Sequence, residues 1–171
     1  LGDDLEIKKF DRKSKLVVDK YPTDIKSEKK NTAIVVFSRR DIYRIKKDLP
    51  KKLKASLIYG ALGSDVRKLQ AQRYINGETD VLITTDAVGM GLNLPIEHIV
   101  FTTHQKYNGI TNTVLGDMLT KQIAGRAGRY GMFDTGFVGA QNRETLEYVK
   151  QSMKSTLEVE DKKFNVQPTD D

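Results

Sequence analysis

Four short stretches of the chain are apolar almost without interruption: residues 33–38, 55–59, 81–85 and 99–102. Continuous runs of this length fit strands buried on both faces, rather than strands with one wet side. A fifth stretch, residues 135–139, reads as extended around Phe137 and Val138. The segments between them change period. Residues 39–49 carry Ile42, Ile45 and Leu49 at helical spacing, and Ser38 with Asp41 three positions later resembles a helix-capping pair. Residues 64–76 read as a helix stopped at Gly77, residues 119–127 as another, and Leu146, Val149 and Met153 mark a closing one. Strands alternating with helices predict an α/β fold, a parallel sheet with helices on both faces. The ends are less regular. Residues 5–8 suggest an alternating strand, residues 26–31 a polar linker, and the chain beyond Thr156 a frayed polar tail. The expected organisation is a lead-in strand and linker over residues 1–31, one α/β domain over 32–156, and a tail over 157–171.

Ligands of such sheets gather beyond the carboxyl ends of the strands, so the loops to inspect begin at Ser38, Gly60, Thr85, Thr103 and Ala140. Composition narrows what they can do. The chain has 171 residues, enough for one domain with its own core, and no apolar run approaches a membrane span, so no membrane partner is expected. It starts Leu1-Gly2-Asp3 and resembles neither a signal peptide nor an Arg-rich transit sequence, as expected of a piece of a longer protein. The absence of Cys excludes thiolate zinc, disulfides and thiol catalysis. His98 and His104 are too few for a His-based metal centre, so no metal site is expected here. The net charge of +6 is concentrated in residues 39–54, where Arg39, Arg40, Arg44, Lys46, Lys47, Lys51, Lys52 and Lys54 oppose only Asp41 and Asp48. Such a cluster suits a polyanion partner, or is a solvated helix face.

The most specific string is Gln122-Ile-Ala-Gly-Arg-Ala-Gly-Arg129. On a helix, Gln122, Arg126 and Arg129 share one face, and Gly125 and Gly128 allow close backbone approach. Two guanidinium forks suit the charge that develops on a triphosphate, and an amide beside them can orient water. The plainer reading is a helix with two exposed arginines and two packing glycines. Each glycine inside a helix costs ~1 kcal/mol against Ala, and a purely structural helix would gain nothing from it. Gly89-Met90-Gly91 taken alone is a flexible turn. Tyr107-Asn-Gly-Ile110 carries a hairpin signal, a tight turn with positive φ at both Asn108 and Gly109, or is an ordinary surface loop.

Residues 122–129 resemble motif VI of the superfamily 2 helicases, and the likeness extends along the chain. Phe37-Ser38-Arg39 is similar to the end of motif IV, Tyr59-Gly60-Ala61-Leu62 falls at the next strand end, and Arg67 and Tyr74 match the helix leading into motif V. Residues 84–94, Thr-Thr-Asp-Ala-Val-Gly-Met-Gly-Leu-Asn-Leu, are similar to motif V throughout. The combination, with Asp41-Ile42-Tyr43 after Ser38 and Gly2-Asp3 before the lead-in, resembles the mitochondrial degradosome RNA helicase family and its bacterial relatives.

That resemblance implies a second RecA-like motor domain of an ATP-dependent RNA helicase. Gln122, Arg126 and Arg129 would act on ATP, while Gly89, Gly91 and Asn93 would face the nucleotide. Ser38, Arg39, Gly60, Thr84 and Thr85 would meet the nucleic-acid backbone, although Ser38 is also placed to cap its helix. Many related helicases carry Asp where Asn93 stands. No Gly-x-x-x-x-Gly-Lys-[Ser/Thr] loop and no Asp-Glu-x-His or Asp-Glu-Ala-Asp string occurs. ATP and Mg²⁺ would therefore be held mainly by a first RecA-like domain, and the isolated chain would not hydrolyse ATP. Expected partners are RNA, that N-terminal RecA-like domain and an exoribonuclease. The expected compartment is the cytoplasm for a bacterial-type member, or the mitochondrial matrix. A DNA helicase half, or a helicase-like scaffold without activity, are the rival readings.

Overall fold

The computed structural model describes residues 14–27, 29–89, 93–128 and 131–155. Six strands form one sheet: β1 (Lys15–Val18), β2 (Thr32–Val35), β3 (Ala55–Ile58), β4 (Val81–Thr84), β5 (His98–Phe101) and β8 (Thr135–Ala140), in the order β1-β8-β5-β2-β4-β3. Every pairing in it is parallel. A separate antiparallel pair, β6 (Gln105–Tyr107) and β7 (Asn112–Val114), stands on the connection after β5. The helices are α1 (Arg39–Asp48), α2 (Ser64–Ile75), α3 (Asp117–Ala124) and α4 (Arg143–Lys154). The predicted α/β architecture is thus the observed one.

The two-residue period of the strands sorts the core into two layers. Ala33, Val35, Leu82, Ile99, Phe101 and Val138 pack with α2, α3 and α4 through Tyr74, Ile123, Leu146 and Val149. The alternate residues Ile34, Val81, Ile83 and Val100 pack with Ile42, Ile45 and Leu49 of α1. This double burial is why the strands read as unbroken apolar runs.

Three expectations change. The apolar run from Ala33 leaves the β-ladder after Val35, although Val36 remains fully buried and donates its N–H to the Thr84 carbonyl at 2.9 Å. Phe37 and Ser38 belong to the turn that starts α1. Lys15–Val18, which carried no assignment, is the edge strand of the sheet. The hairpin forms, but not through a two-residue turn. Gly109 has φ +102°, whereas Asn31 is the one non-glycine at positive φ among the described residues, so Asn108 does not share the left-handed conformation. Asn108 instead turns the chain with its side chain, Oδ1 accepting the N–H of Ile110 and of Thr111, each at 2.9 Å. The expected strand over residues 5–8 and the tail from residue 157 lie outside the described residues.

Candidate nucleic-acid interface and nucleotide-facing turn

The strand order brings loops distant in sequence to one edge. Strands β2, β4 and β3 are adjacent, so Ser38, Thr85 and Gly60 emerge side by side at their carboxyl ends. Ser38 is the N-cap of α1: its Oγ accepts the Asp41 N–H at 3.1 Å, and its hydroxyl donates to Asp41 Oδ2 at 2.6 Å. Arg44 donates to the other carboxylate oxygen through Nε and Nη2, at 3.1 and 2.8 Å. Partial burial of Asp41 works to raise its pKa, but the Ser38 hydroxyl, Arg44 and Arg40 outweigh it and hold the carboxyl below its ordinary value. Arg39 is exposed and lies over the Tyr59 ring, with its guanidinium carbon 5.8 Å from the ring centre. That contact ties the loop after β2 to the loop after β3.

Gly60 is exposed, and a methyl group built on it would meet nothing within 4 Å. Its carbonyl accepts from Arg67 Nη2 at 2.9 Å, and the same nitrogen donates to the Leu62 carbonyl at 3.0 Å, so Arg67 holds this loop from behind. Thr85 is half-buried, and its Oγ1 accepts the Ala87 N–H at 3.3 Å, starting the 3-10 turn Asp86–Gly89. Thr84 is a correction. It is fully buried in β4 and its hydroxyl donates to the Thr85 carbonyl, so its side chain is withdrawn from the surface that Thr85 reaches.

The basic stretch is divided by the same topology. Arg39, Arg40 and Arg44 lie on the first turns of α1, beside Ser38. Because α1 returns the chain to the start of β3, Lys51, Lys52 and Lys54 sit at the opposite end of the sheet, where the Lys54 N–H donates to Asp80 at 2.9 Å. A polar cleft of about 280 Å³ continues the loop surface toward the hairpin, lined by Ser38, Arg44, Thr103, Gln105, Lys106 and Tyr107. Lys106 approaches Asp86 at 3.9 Å, linking hairpin and 3-10 turn. Sequence reading marked Thr103 as a loop start but gave Lys106 no role. A larger cavity, about 350 Å³ and lined by Asp19, Lys30, Glu97 and His98, meets none of these groups.

The Gln122–Arg129 string does not form one helix face. Helix α3 ends at Ala124 with Gly125 as its C-cap, so Gln122 is exposed on the last helical turn while Arg126 lies beyond it, half-buried. Arg129 lies outside the described residues. The glycines are therefore not mid-helix and carry no helix-interior cost. Gly128 has a different reason to be glycine. Its φ is +70°, and a methyl group there would lie 2.5 Å from the Gly136 nitrogen and 2.7 Å from its Cα. A methyl group on Gly136 would in turn meet the Ala127 carbonyl carbon at 2.5 Å. The turn is pressed backbone to backbone on β8, and Gly128 donates its N–H to the Ile96 carbonyl at 2.9 Å. The backbone directly after Arg126 is thus held from two sides. Of the residues expected to face the nucleotide, Gly89 closes the 3-10 turn, Gly91 lies outside the described residues, and Asn93 is exposed.

Comparison with known proteins bears on the family and the fold. The chain is 45% identical over 161 residues to the ATP-dependent RNA helicase SUV3, mitochondrial, of Candida albicans, a match spanning 91% of this chain and 22% of that protein. It is 44% identical over 161 residues to the DExH-box ATP-dependent RNA helicase DExH16, mitochondrial, of Arabidopsis thaliana, spanning 90% of this chain and 28% of that one. The chain therefore spans about a quarter of the length of the curated relatives it matches. Among solved structures, the C-terminal domain of the DEAD-box protein Dbp5 superposes with a TM-score of 0.59 at 16% identity, covering 82% of this chain and 83% of that one. The C-terminal part of the Fun30 ATPase domain gives 0.55 at 17% identity, covering 76% and 41%. At such identities the structural likeness speaks for the fold alone. The profile of the helicase conserved C-terminal domain matches residues 9–131, and the chain belongs to that family.

Proposed function

We propose that the chain is the second motor domain of an ATP-dependent RNA helicase, with its nucleic-acid contacts and its nucleotide contacts on separate parts of one RecA-like unit. The observation that carries this reading is the convergence of Ser38, Gly60 and Thr85 at the carboxyl ends of three adjacent parallel strands. Hydroxyls, a cation and exposed loop backbone in one row suit a phosphate backbone, which is bound by position more than by base identity. Arg39 supplies the cation at that row. Gln122 and Arg126, with Arg129 after them in the sequence, are assigned to the nucleotide. In this assignment Gln122 aligns the attacking water, and the two arginines stabilise charge growing on the transferred phosphoryl group. Gly89, Gly91 and Asn93 would line the nucleotide's side of the cleft.

ATP is the second substrate in this reading, and Mg²⁺ belongs with the first RecA-like domain, which completes the cleft. The described residues contain no group of three or more acidic or His side chains able to hold a metal ion. RNA, rather than DNA, follows from the names of the relatives, and those names place the relatives in mitochondria. We assign the full-length protein to the mitochondrial matrix in preference to the cytoplasm, with an exoribonuclease as a partner.

The test is RNA-stimulated ATPase kinetics of the full-length enzyme carrying Arg126→Ala or Arg129→Ala. An inserted arginine contributes about 10³–10⁵ in rate to phosphoryl transfer, so kcat should collapse while the melting temperature and ATP binding change far less. Arg129→Lys should recover little, because a point charge cannot reproduce the planar fork. Near-normal kcat in both folded alanine variants would refute the assignment and favour a scaffold role.

A further inference from the structure

Beside the strand-end row stands a cluster of aromatic and cationic side chains that the core does not use. Helix α1 turns Ile42, Ile45 and Leu49 into the layer beneath it, with Ile42 and Ile45 completely buried. Tyr43, next to Ile42, faces outward and is 57% exposed. It follows Arg39 by four residues, so the two side chains share one stripe of the helix. Facing that stripe is Tyr59, which stands between β3 and Gly60 and is only partly buried against the same layer. The Arg39 guanidinium lies over its ring. The Tyr59 phenol is raised above its ordinary pKa, first by hydrogen bonding with the Tyr43 hydroxyl and then by desolvation, against the opposing charge of Arg39. Tyr43, Tyr59 and Arg39 thus form one contiguous patch. Its charge is uncommitted. Among the described residues no ion pair engages Arg39 or Arg40, whereas Arg44 is held by Asp41.

We propose, building on the RNA-motor reading, that Tyr43 stacks a base of single-stranded RNA beside the Arg39 guanidinium, at the β3 end of the phosphate row. Position carries this assignment. Arg39 directly follows Ser38, and Tyr59 directly precedes Gly60, the two residues assigned to the phosphate backbone on either side of Thr85. A phosphate row needs hydroxyls, cations and backbone N–H groups; an exposed aromatic ring beside it suits a base. Every base presents a flat π-face, so rings and guanidinium planes hold unpaired bases with little regard to sequence. Bases inside a duplex already stack on one another and offer no free face, so such a platform selects unpaired strand. Tyr43 supplies one planar surface, and Arg39, braced over Tyr59, supplies a second. An acidic peptide would also suit rings and cations, but continuity with the phosphate row favours RNA.

The test is binding of a labelled single-stranded RNA to the full-length protein, followed by fluorescence anisotropy, with Tyr43→Ala and Tyr43→Phe beside the wild type. RNA-stimulated ATPase of the wild type is measured alongside. Because Tyr43 is exposed, both variants should keep the wild-type melt. Loss of one stacked base should weaken binding of Tyr43→Ala by roughly 5- to 150-fold, while Tyr43→Phe, which keeps the ring, should stay within about threefold of wild type. The salt slope should not change, since stacking displaces no counterion. In RNAs carrying an abasic site at each position in turn, one position should make Tyr43→Ala bind like wild type. Unchanged affinity in Tyr43→Ala, in a protein whose ATPase RNA stimulates, would overturn the platform and leave the motor reading standing. An equal loss on every abasic RNA, or an altered salt slope, would overturn it too, by making Tyr43 a support for Arg39. A wild type that binds no single-stranded RNA would overturn both readings. Unchanged RNA affinity with weakened binding of a polyglutamate peptide would give the surface to an acidic protein instead.

Discussion

Replacing Gly128 by Ala tests whether the turn proposed to face the nucleotide is held by backbone contact with β8. Two costs add. Gly128 sits at φ +70°, and an L-residue in the left-handed region costs about 1–2 kcal/mol. The new methyl group would also lie 2.5 Å from the Gly136 nitrogen and 2.7 Å from its Cα. Both are backbone atoms of β8, where Gly136 pairs with Leu16 of β1, and cannot swing aside as a side-chain tip would. Overpacking of this kind typically costs about 1–3 kcal/mol. The sum, roughly 2–5 kcal/mol, is a large part of the ~5–15 kcal/mol that holds a domain folded. At about 2–4 °C per kcal/mol for a domain of this size, the melting temperature should fall by roughly 4–20 °C. Gly136→Ala meets the Ala127 carbonyl carbon at 2.5 Å but carries no positive φ, so its loss should be smaller, about 1–3 kcal/mol. Gly60→Ala, which meets nothing within 4 Å, is the control and should stay within about 0.5 kcal/mol. Thermal and urea unfolding of the 171-residue chain would measure all three. A Gly128→Ala protein melting within about 1 °C of wild type would refute the close-approach argument.

The isolated chain should show no ATPase activity above background with or without RNA, because it lacks the loop that positions phosphate and metal; turnover that a mutation within the chain abolishes would contradict this. Its affinity for single-stranded RNA should be weak and salt-dependent. Only Arg39, Arg40 and Arg44 of the basic stretch lie beside Ser38, and each phosphate contact contributes about −0.7, so the log–log salt slope should be near −2 rather than the steeper value eight cations would give. Titration by fluorescence anisotropy from low to high salt decides between the two. Asp41→Asn should destabilise the chain at neutral pH. The Asp41 carboxyl is held below its ordinary pKa, so its contribution is complete above the usual carboxylate range and fades as pH falls through the depressed value. Urea unfolding of wild type and variant should therefore converge in acid, and a gap that persists unchanged would assign the loss to something other than ionised Asp41.

Much of the fold was legible because burial on both faces leaves unbroken apolar runs, as at Ile34-Val35 and Leu82-Ile83. Edge strand β1 was not, since Leu-Val-Val follows Lys15 in a short segment that has no neighbouring strand on its outer side among the described residues. At the site, Ser38 and Thr85 could be found from sequence because each directly follows an apolar run, and such positions fall at strand ends. Thr84 could not be separated from Thr85, because which of two consecutive threonines points outward depends on where the ladder stops. The Arg39–Tyr59 and Lys106–Asp86 approaches were hidden for another reason. They join loops brought together by the order β5-β2-β4-β3, which local periodicity does not encode. Of the two glycines in the Gln122–Arg129 string, Gly128 makes the close approach that the sequence suggested, but its partner, Gly136 on β8, is visible only in three dimensions.

One short segment connects the two proposed contact sets. The 3-10 turn Asp86–Gly89 begins directly after Thr85, which faces the strand-end surface, and its Ala87 and Val88 are almost completely buried. Val88 shares a core with Ile123 and Ala124 of α3, with Ala127 of the following turn, and with Ile96. Ile96 in turn accepts the Gly128 N–H. Interiors packed at crystal density transmit small displacements instead of absorbing them. If Thr85 meets RNA and Arg126 meets the nucleotide, a shift of the 3-10 turn on the RNA side moves the seat of α3 and of its terminal turn together. The contact of Gly128 with Gly136 keeps that turn from deforming independently of β8. Lys106 approaches Asp86 from the hairpin at 3.9 Å, so the hairpin bears on the same segment. The two ligand-facing sets thus need no hinge between them. Under the proposed function, rigid movement of this domain against a first RecA-like domain would then be the motion available for coupling ATP to RNA, and the Gly128 and Gly136 substitutions, which loosen the turn from β8, should uncouple ATP turnover from RNA in the full-length protein before they abolish either binding event.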